Sequence, residues 1–244
     1  MQKLLIKIPE YGIIRSIIIS MEGTYFHSTC KANRQSIQKN GLKYTEIKNP
    51  FEIEDNKLDW LGMGIYLWGN LSDAVRWSYK LAKENKNTNF DYIIDNYDIY
   101  NVKVIYDIDN YLDLSTQYGN YQFNKYINEC KKQMNANNIK HEINYEKYST
   151  RFWVSLLDYY EFWNKSNIYF IGGNFAKRKE INYKYSELIE SAEYQYCIKN
   201  KDIINKIELN NDDNNISEYL SFILERNGVY YGIRRKDQYN CKVF

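Results

Sequence analysis

The stretch Asp59-Trp60-Leu61-Gly62-Met63-Gly64-Ile65-Tyr66-Leu67-Trp68 decides how the rest of the chain is read. Two glycines ahead of a short apolar run mark a turn feeding a strand, and Asn70 or Ser72 then caps a helix. Ala74, Val75, Trp77, Ser78, Leu81 and Ala82 supply the inner face of that helix. Glycine turn, strand and helix suit two purposes. The bare backbone of Gly62 and Gly64 lets a flat ligand come close while Tyr66 offers its ring face for stacking. The same residues equally form a tight strand entry with Tyr66 and Trp68 packed on a core.

Upstream, residues 13 to 20 are dense in β-branched side chains and Thr24 to Ser28 alternate, so both read as short strands. A helix follows over Lys31 to Asn40, with Ala32, Ile37 and the stem of Arg34 near one face and Gly41 as its stop. Leu42 to Trp60 is polar and aperiodic, with a turn at Asn49-Pro50, and reads as a surface loop.

Downstream, Asn85 to Asn96 reads as an Asn-rich insertion. Tyr100, Val102, Val104, Tyr106 and Ile108 then alternate with polar residues as a half-buried strand does. Tyr121 to Met134 and Tyr148 to Trp163 carry helical spacing, the second through Phe152, Leu156, Tyr159, Tyr160 and Trp163. Ile168 to Ile171, Tyr194 to Ile198 and Gly228 to Ile233 read as strands, and Ile216 to Glu225 as a helix. Strands and helices mixed without a regular βαβ rhythm predict an α+β fold. With no internal repeat, residues 1 to 244 are expected to form one domain.

Composition narrows the function classes. The chain has 33 basic and 31 acidic side chains, too even a balance for strong, sequence-independent attraction to phosphate backbones. No apolar run approaches the roughly 18 residues of a membrane span, and no secretory signal is visible, so the expectation is a cytoplasmic protein with no membrane partner. Cys30, Cys130, Cys197 and Cys241 are too dispersed for a zinc knuckle or a CxxC redox site, and no metal site is expected. The 26 tyrosines, with many Asn, Lys and Ile, are read first as genome bias.

Two further segments stand beside the glycine turn. Tyr25-Phe26-His27-Ser28-Thr29 places one of only 2 histidines in a strand just before a helix; alone, it reads as a core histidine bonded to a backbone carbonyl. In Glu193-Tyr194-Gln195-Tyr196-Cys197-Ile198-Lys199-Asn200, the side chains of Glu193, Gln195 and Cys197 share one strand face. A carboxylate or carboxamide there can hold a sugar hydroxyl, or the segment is a solvated edge strand.

Taken in order, the segments resemble the ADP-ribosyltransferase fold, in the diphtheria-toxin-like branch that includes the poly(ADP-ribose) polymerases. The similarity is greatest to a group of mostly bacterial proteins. Its pattern is matched by His27-Ser28-Thr29, Asn40-Gly41-Leu42, Trp60 to Trp68, Ala74 to Trp77, Leu112-Asp113-Leu114, Gly173-Asn174-Phe175 and Tyr194 to Asn200. It spans about residues 22 to 206, leaving 207 to 244 as an extension that completes the fold or meets a partner.

The resemblance implies split mixed or antiparallel β-sheets flanked by helices, and NAD as ADP-ribose donor. It implies that His27 holds the 2′-hydroxyl of the adenosine ribose, that the Ser28 backbone meets the nicotinamide carboxamide with Thr29 assisting, and that Tyr66 stacks on the nicotinamide. Gly62 and Gly64 shape the cofactor-binding turn. Ser28 stands where the pattern usually has glycine. Where the polymerases carry a catalytic glutamate this chain has Gln195, with Glu193 two positions earlier as the other candidate carboxylate or an exposed strand charge.

The implied activity is mono-ADP-ribosyl transfer, in a toxin or a phage-defence effector, to a protein or nucleic-acid acceptor. The alternatives are a catalytically silent module binding NAD or ADP-ribose, and NAD hydrolysis. An RNA 2′-phosphotransferase of this fold ranks last, because those enzymes use added histidine and arginine contacts. Asp59 and Asp73 lie nearer the glycine turn, but Asp73 suits the first turn of a helix. His141 reads as solvated. Lys177, Arg178 and Lys179, with Arg234, Arg235 and Lys236, are candidate backbone-contacting patches or solvated runs. An antitoxin protein is a candidate partner for Asn210 to Phe244.

Overall fold

Alternation over Tyr100 to Tyr106 produces the strand it predicts, β4 (Tyr97–Asp107), whose Tyr100, Val102, Val104 and Tyr106 are buried while the residues between them are only half-buried. The structure is a computed structural model that describes residues 3–7, 18–136, 149–175 and 193–226. Within them, eight strands join in one mixed sheet. The others are β1 (Lys3–Lys7), β2 (Ile18–Cys30), β3 (Ile65–Trp68), β5 (Tyr111–Asp113), β6 (Phe170–Phe175), β7 (Glu193–Ile198) and β8 (Ile204–Leu209). The order is β5-β6-β7-β3-β2-β4-β8, with β1 also on β2; only β5 and β6 run parallel. Helices are α1 (Arg34–Asn40), α2 (Leu71–Glu84), α3 (Phe90–Asn96), α4 (Gln117–Ala136), α5 (Thr150–Tyr159), α6 (Phe162–Lys165) and α7 (Asp213–Arg226). The class is α+β.

The sheet is nearly split in two. β2 pairs with β4 without interruption from Ser20↔Asp107 to Cys30↔Tyr97, but it meets β3 at the single position Phe26↔Trp68. On that same edge, β1 takes β2 residues 18–22. Past Phe26, the β3-side edge of β2 therefore has no strand neighbour among the described residues. The two halves fold toward each other at this seam. Phe170 of β6 lies 5.2 Å from Tyr25 of β2 and 4.9 Å from Tyr106 of β4, ring centre to ring centre. Strands so far apart in sheet order touch only if the sheet bends. Tyr25, Leu67, Val102, Phe170 and Ile198 form the core between the halves. Each such burial contributes about 1.5–3 kcal/mol.

Helices close the outer faces. α4, α5 and α6 cover β6 and β7 through Phe123, Phe152, Leu157, Trp163, Ile171 and Cys197. α2, α3 and α7 pack together through Ala74, Val75, Ile93, Leu220 and Leu224 onto Trp68 and Ile99. So the described part of the C-terminal extension adds a helix to this layer, while β8, which runs into its first residues, adds a strand.

Several expectations are corrected. Residues 18 to 28 belong to one long strand rather than two short ones, and 13–17 lie outside the described residues. Ala32 and Ile108 are exposed, the latter beyond the end of β4. The Asn-rich segment contains α3, capped by Asn89, whose side chain accepts from Tyr92 N–H, with Ile93 buried. The helix expected over 148–163 breaks at Tyr160-Glu161, where Glu161 has φ 53°, and Tyr159 is exposed. The loop from Leu42 to Trp60 is only partly a surface feature, since Leu42 and Leu58 are buried. The strand expected over Gly228 to Ile233, His141 and both basic patches lie outside the described residues. No helix among the described residues is long and apolar enough to cross a membrane.

Candidate active site

Where β2 and β3 part, a cavity of about 1040 Å³ opens, lined among others by His27, Ser28, Gly64, Tyr66 and Gln195. The three segments singled out in the sequence therefore meet on one surface. β2 brings His27, the turn before β3 brings Gly64, β3 brings Tyr66, and β7 brings Gln195 beside Trp68, its cross-strand partner.

His27 sits in the seam itself. Its Nδ1–H donates to the Tyr66 carbonyl oxygen at 2.8 Å, a backbone acceptor that faces β2 beyond the last strand pair. That bond fixes the neutral tautomer and leaves Nε2 as a lone-pair acceptor. Burial lowers the imidazole pKa below its ordinary value, outweighing the opposing pull of the carbonyl, so the ring is neutral at pH 7. His27 thus bonds a backbone carbonyl, as a core histidine does, and also lines the cavity. Ser28 points the other way, its Oγ 2.6 Å from Ser78 Oγ on α2, so this serine does not crowd the cavity with its hydroxyl. Thr29 does not line the cavity; its Oγ1 accepts from Asn33 Nδ2 at 2.9 Å.

Tyr66 is anchored by its own turn. Its hydroxyl donates to the Gly62 carbonyl at 2.9 Å and accepts from the Leu61 N–H at 2.8 Å. With both ends of the hydroxyl used and the phenol pKa pushed up by burial, the group offers a ring surface and no acid or base. Gln195 is 5% exposed, and among the described residues its carboxamide has no side-chain hydrogen-bond partner. A buried, uncommitted amide beside a cavity is available to a ligand hydroxyl. Glu193 lies at the start of β7 opposite Phe175; its side chain falls outside the described set.

Of the two readings of the glycines, the contacts fit the tight strand entry. Gly62 does not line the cavity; at φ 66°, a Cβ there would strike the Asp158 carboxylate. A Cβ on Gly64 would strike the Cys197 thiol and the Ile198 carbonyl. The turn is therefore bare so that it can press against α5 and β7, and only Gly64 also borders the cavity.

Sequence reasoning assigned no role to the pair that receives this turn. Lys199 Nζ lies 2.8 Å from Asp158 Oδ1, the two side chains 2% and 3% exposed. The ammonium also donates to the carbonyls of Leu61 at 2.7 Å and Met63 at 2.6 Å, and Asp158 Oδ2 accepts from Met63 N–H at 2.7 Å. Burial pushes the Asp158 pKa up to about 6 despite the opposing pull of Lys199. The one signal for it in the sequence is a carboxylate, Asp158, set directly after the mainly apolar run Phe152 to Leu157.

Half the cavity wall comes from the loop before β3 and from the start of α5. Thr45 is bound to Gly64 in both directions, Thr45 N–H to the Gly64 carbonyl and Gly64 N–H to Thr45 Oγ1, each 3.0 Å. Trp60 carries the Arg151 guanidinium over its ring at 3.4 Å. Lys43, Lys57, Lys80 and Arg151 line the cavity against two carboxylates, Asp55 and Asp59. Both are engaged: Asp55 accepts from Ser149 Oγ at 2.7 Å, and Asp59 pairs with Lys48 at 2.9 Å. Lys57 in turn pairs with Glu54 at 3.0 Å, and among the described residues the wall keeps a modest excess of positive charge, suited to an anionic ligand. Asp73 is buried behind the first turn of α2 and does not reach the cavity. Among the described residues no cluster of His, Cys, Asp or Glu could hold a metal ion.

Comparison with family models, with curated proteins and with solved structures finds no match for this chain.

Proposed function

We propose that the chain is an NAD-dependent mono-ADP-ribosyltransferase, a pentosyl transferase of the cytoplasm acting as a toxin or anti-phage effector on a protein or nucleic acid. One observation carries the reading: a neutral imidazole, a phenol ring and an uncommitted carboxamide, from three distant segments, face one basic cavity where the sheet splits.

The chemistry follows from these groups. His27 Nε2 accepts from a ribose hydroxyl. The free β2 edge beside Ser28 presents backbone groups to the nicotinamide carboxamide. The face of Tyr66 attracts the cationic pyridinium. The bond between ribose C1′ and nicotinamide N1 breaks, and its electron pair leaves with N1, which becomes neutral. An oxygen or nitrogen of the acceptor bonds to C1′ and gives up its proton to solvent. Positive charge grows on the ribose as the bond breaks, and Gln195 orients the ribose hydroxyls without neutralising that charge. A weak, single transfer is the outcome such a site supports; chain building is not.

A second reading is a silent NAD-binding module, and a specific observation favours it. The two carboxylates in the cavity wall are already bonded to Ser149 and Lys48, and Gln195 is neutral. A third is hydrolysis of NAD to ADP-ribose and nicotinamide.

Incubating the protein with adenine-labelled NAD and cell extract separates them. Transfer puts label in the protein or nucleic-acid fraction with nicotinamide released. Hydrolysis gives free ADP-ribose alone, and the silent module binds NAD with no nicotinamide release. Tyr66→Ala is expected to weaken NAD binding about tenfold or more, whereas Gln195→Ala lowers turnover more than binding. Unchanged turnover in the Gln195 variant would move the role to Glu193.

A further inference from the structure

We propose that Asp158 and Lys199 are positioning residues that hold the nicotinamide-binding ring of Tyr66 at the cavity wall, an inference that rests on the NAD reading above. Neither side chain lines the cavity, so they act through the turn between them and Tyr66.

An ion pair serving only to join α5 to β7 needs one carboxylate and one ammonium. Here the pair also takes up three backbone groups of a single turn: the carbonyls of Leu61 and Met63 on Lys199, and the Met63 N–H on Asp158. With the carboxylate, those two carbonyls use all three ammonium protons. The Tyr66 hydroxyl is tied to the Leu61 N–H and the Gly62 carbonyl, groups of the same turn that the pair grips at Leu61 and Met63. Any shift of the turn moves the hydroxyl and swings the ring. The bare Cα of Gly62 lets the carboxylate reach the turn, since a Cβ there would meet it. A displacement of about 1 Å in a positioned group costs on the order of 100-fold in a reaction that depends on orientation. A flexible hydrogen bond to solvent would not hold the ring to that tolerance; a buried, fully bonded pair does.

The test uses the full chain and three variants: Asp158→Asn, Lys199→Met, and Asp158→Leu with Lys199→Met. The double change removes the charges together, which spares stability the cost of leaving one of them buried alone. Circular dichroism identifies the variants and temperatures that keep the native fold. Hydrogen exchange then reads the Met63 amide and calorimetric titration reads NAD affinity. In every folded variant, the Met63 amide is expected to exchange faster and NAD to bind at least about tenfold more weakly. Adding Tyr66→Ala to Asp158→Asn is expected to cost little more, because the ring is already misplaced. The proposal is overturned if Met63 stays protected, if the Tyr66 and Asp158 losses simply add, or if the double variant binds NAD as the unaltered chain does. An unaltered chain that binds no NAD sinks the functional reading itself, a result distinct from variants that bind normally.

Discussion

β2 meets its two neighbours in opposite ways. Along β4 it forms a continuous ladder from Ser20 to Cys30, and every acceptor and donor there is committed to holding the sheet. Along β3 it forms one pair and then departs; His27 bridges the gap to the Tyr66 carbonyl, while Ser28 turns away to Ser78 on the helix behind. The first edge is built for stability. The second leaves polar groups for something else to bind. Substitutions should therefore divide the same way, with damage to packing lowering stability and damage at the seam lowering ligand affinity.

The largest effect should come from removing what braces both edges. Ending the chain at Asn210 deletes α7 and uncovers the surface under Leu220, Ile223 and Leu224, which are 0%, 6% and 0% exposed. Their burial contributes roughly 5–9 kcal/mol, against a typical total stability of about 5–15 kcal/mol. The truncated chain is expected to lose its cooperative urea transition; a normal transition would show that α7 is dispensable.

Next comes the buried pair. Lys199→Met strands the Asp158 carboxylate and should cost about 3–5 kcal/mol by urea unfolding. A loss below about 1 kcal/mol would mean that solvent already reaches the site. The pH dependence gives a third, comparable handle. Folding raises Asp158 from 3.8 to about 6. Between those values, the native chain carries a proton that the unfolded chain has released. This group alone then makes stability fall as pH rises through the window, by up to about 3 kcal/mol, and the contribution is level above about pH 6. The difference between the unaltered chain and Asp158→Asn isolates it, and a difference independent of pH would refute the shifted carboxyl.

The smallest change in stability is expected at the seam. His27→Ala removes one half-buried hydrogen bond and should cost about 1 kcal/mol or less while weakening NAD binding about tenfold or more. Calorimetric unfolding and titration on the same sample check both numbers. Loss of stability with intact binding would reverse the division between the edges.

What the sequence discloses follows the same line. The β4 ladder is legible because one face is dry and the other wet, which writes period two into Tyr100 to Tyr106. That His27, Tyr66 and Gln195 share one site is implied by the family resemblance and not by strand periodicity, which leaves each of the three segments open to a purely structural reading. The loop from Leu42 to Trp60 gave no such signal. Lys43, Thr45 and Trp60 line the cavity from irregular backbone, and irregular backbone has no period to betray its burial. Gly62 is open to two readings, approach of a ligand or a tight strand entry; what requires it is the Asp158 carboxylate, a contact with a residue 96 positions away in numbering that no local pattern encodes. The break after Tyr159 was hidden because α5 and α6 both continue an apolar pattern across it.

One remaining consequence concerns how copies of the chain behave in a crowd. β8 is the outermost described strand beside β4, and it carries Lys206 and Glu208 exposed and bonded to each other at 2.7 Å. A second molecule adding its own strand along that rim would have to strip water from both charges. Lateral growth toward fibrils is thereby disfavoured at that border.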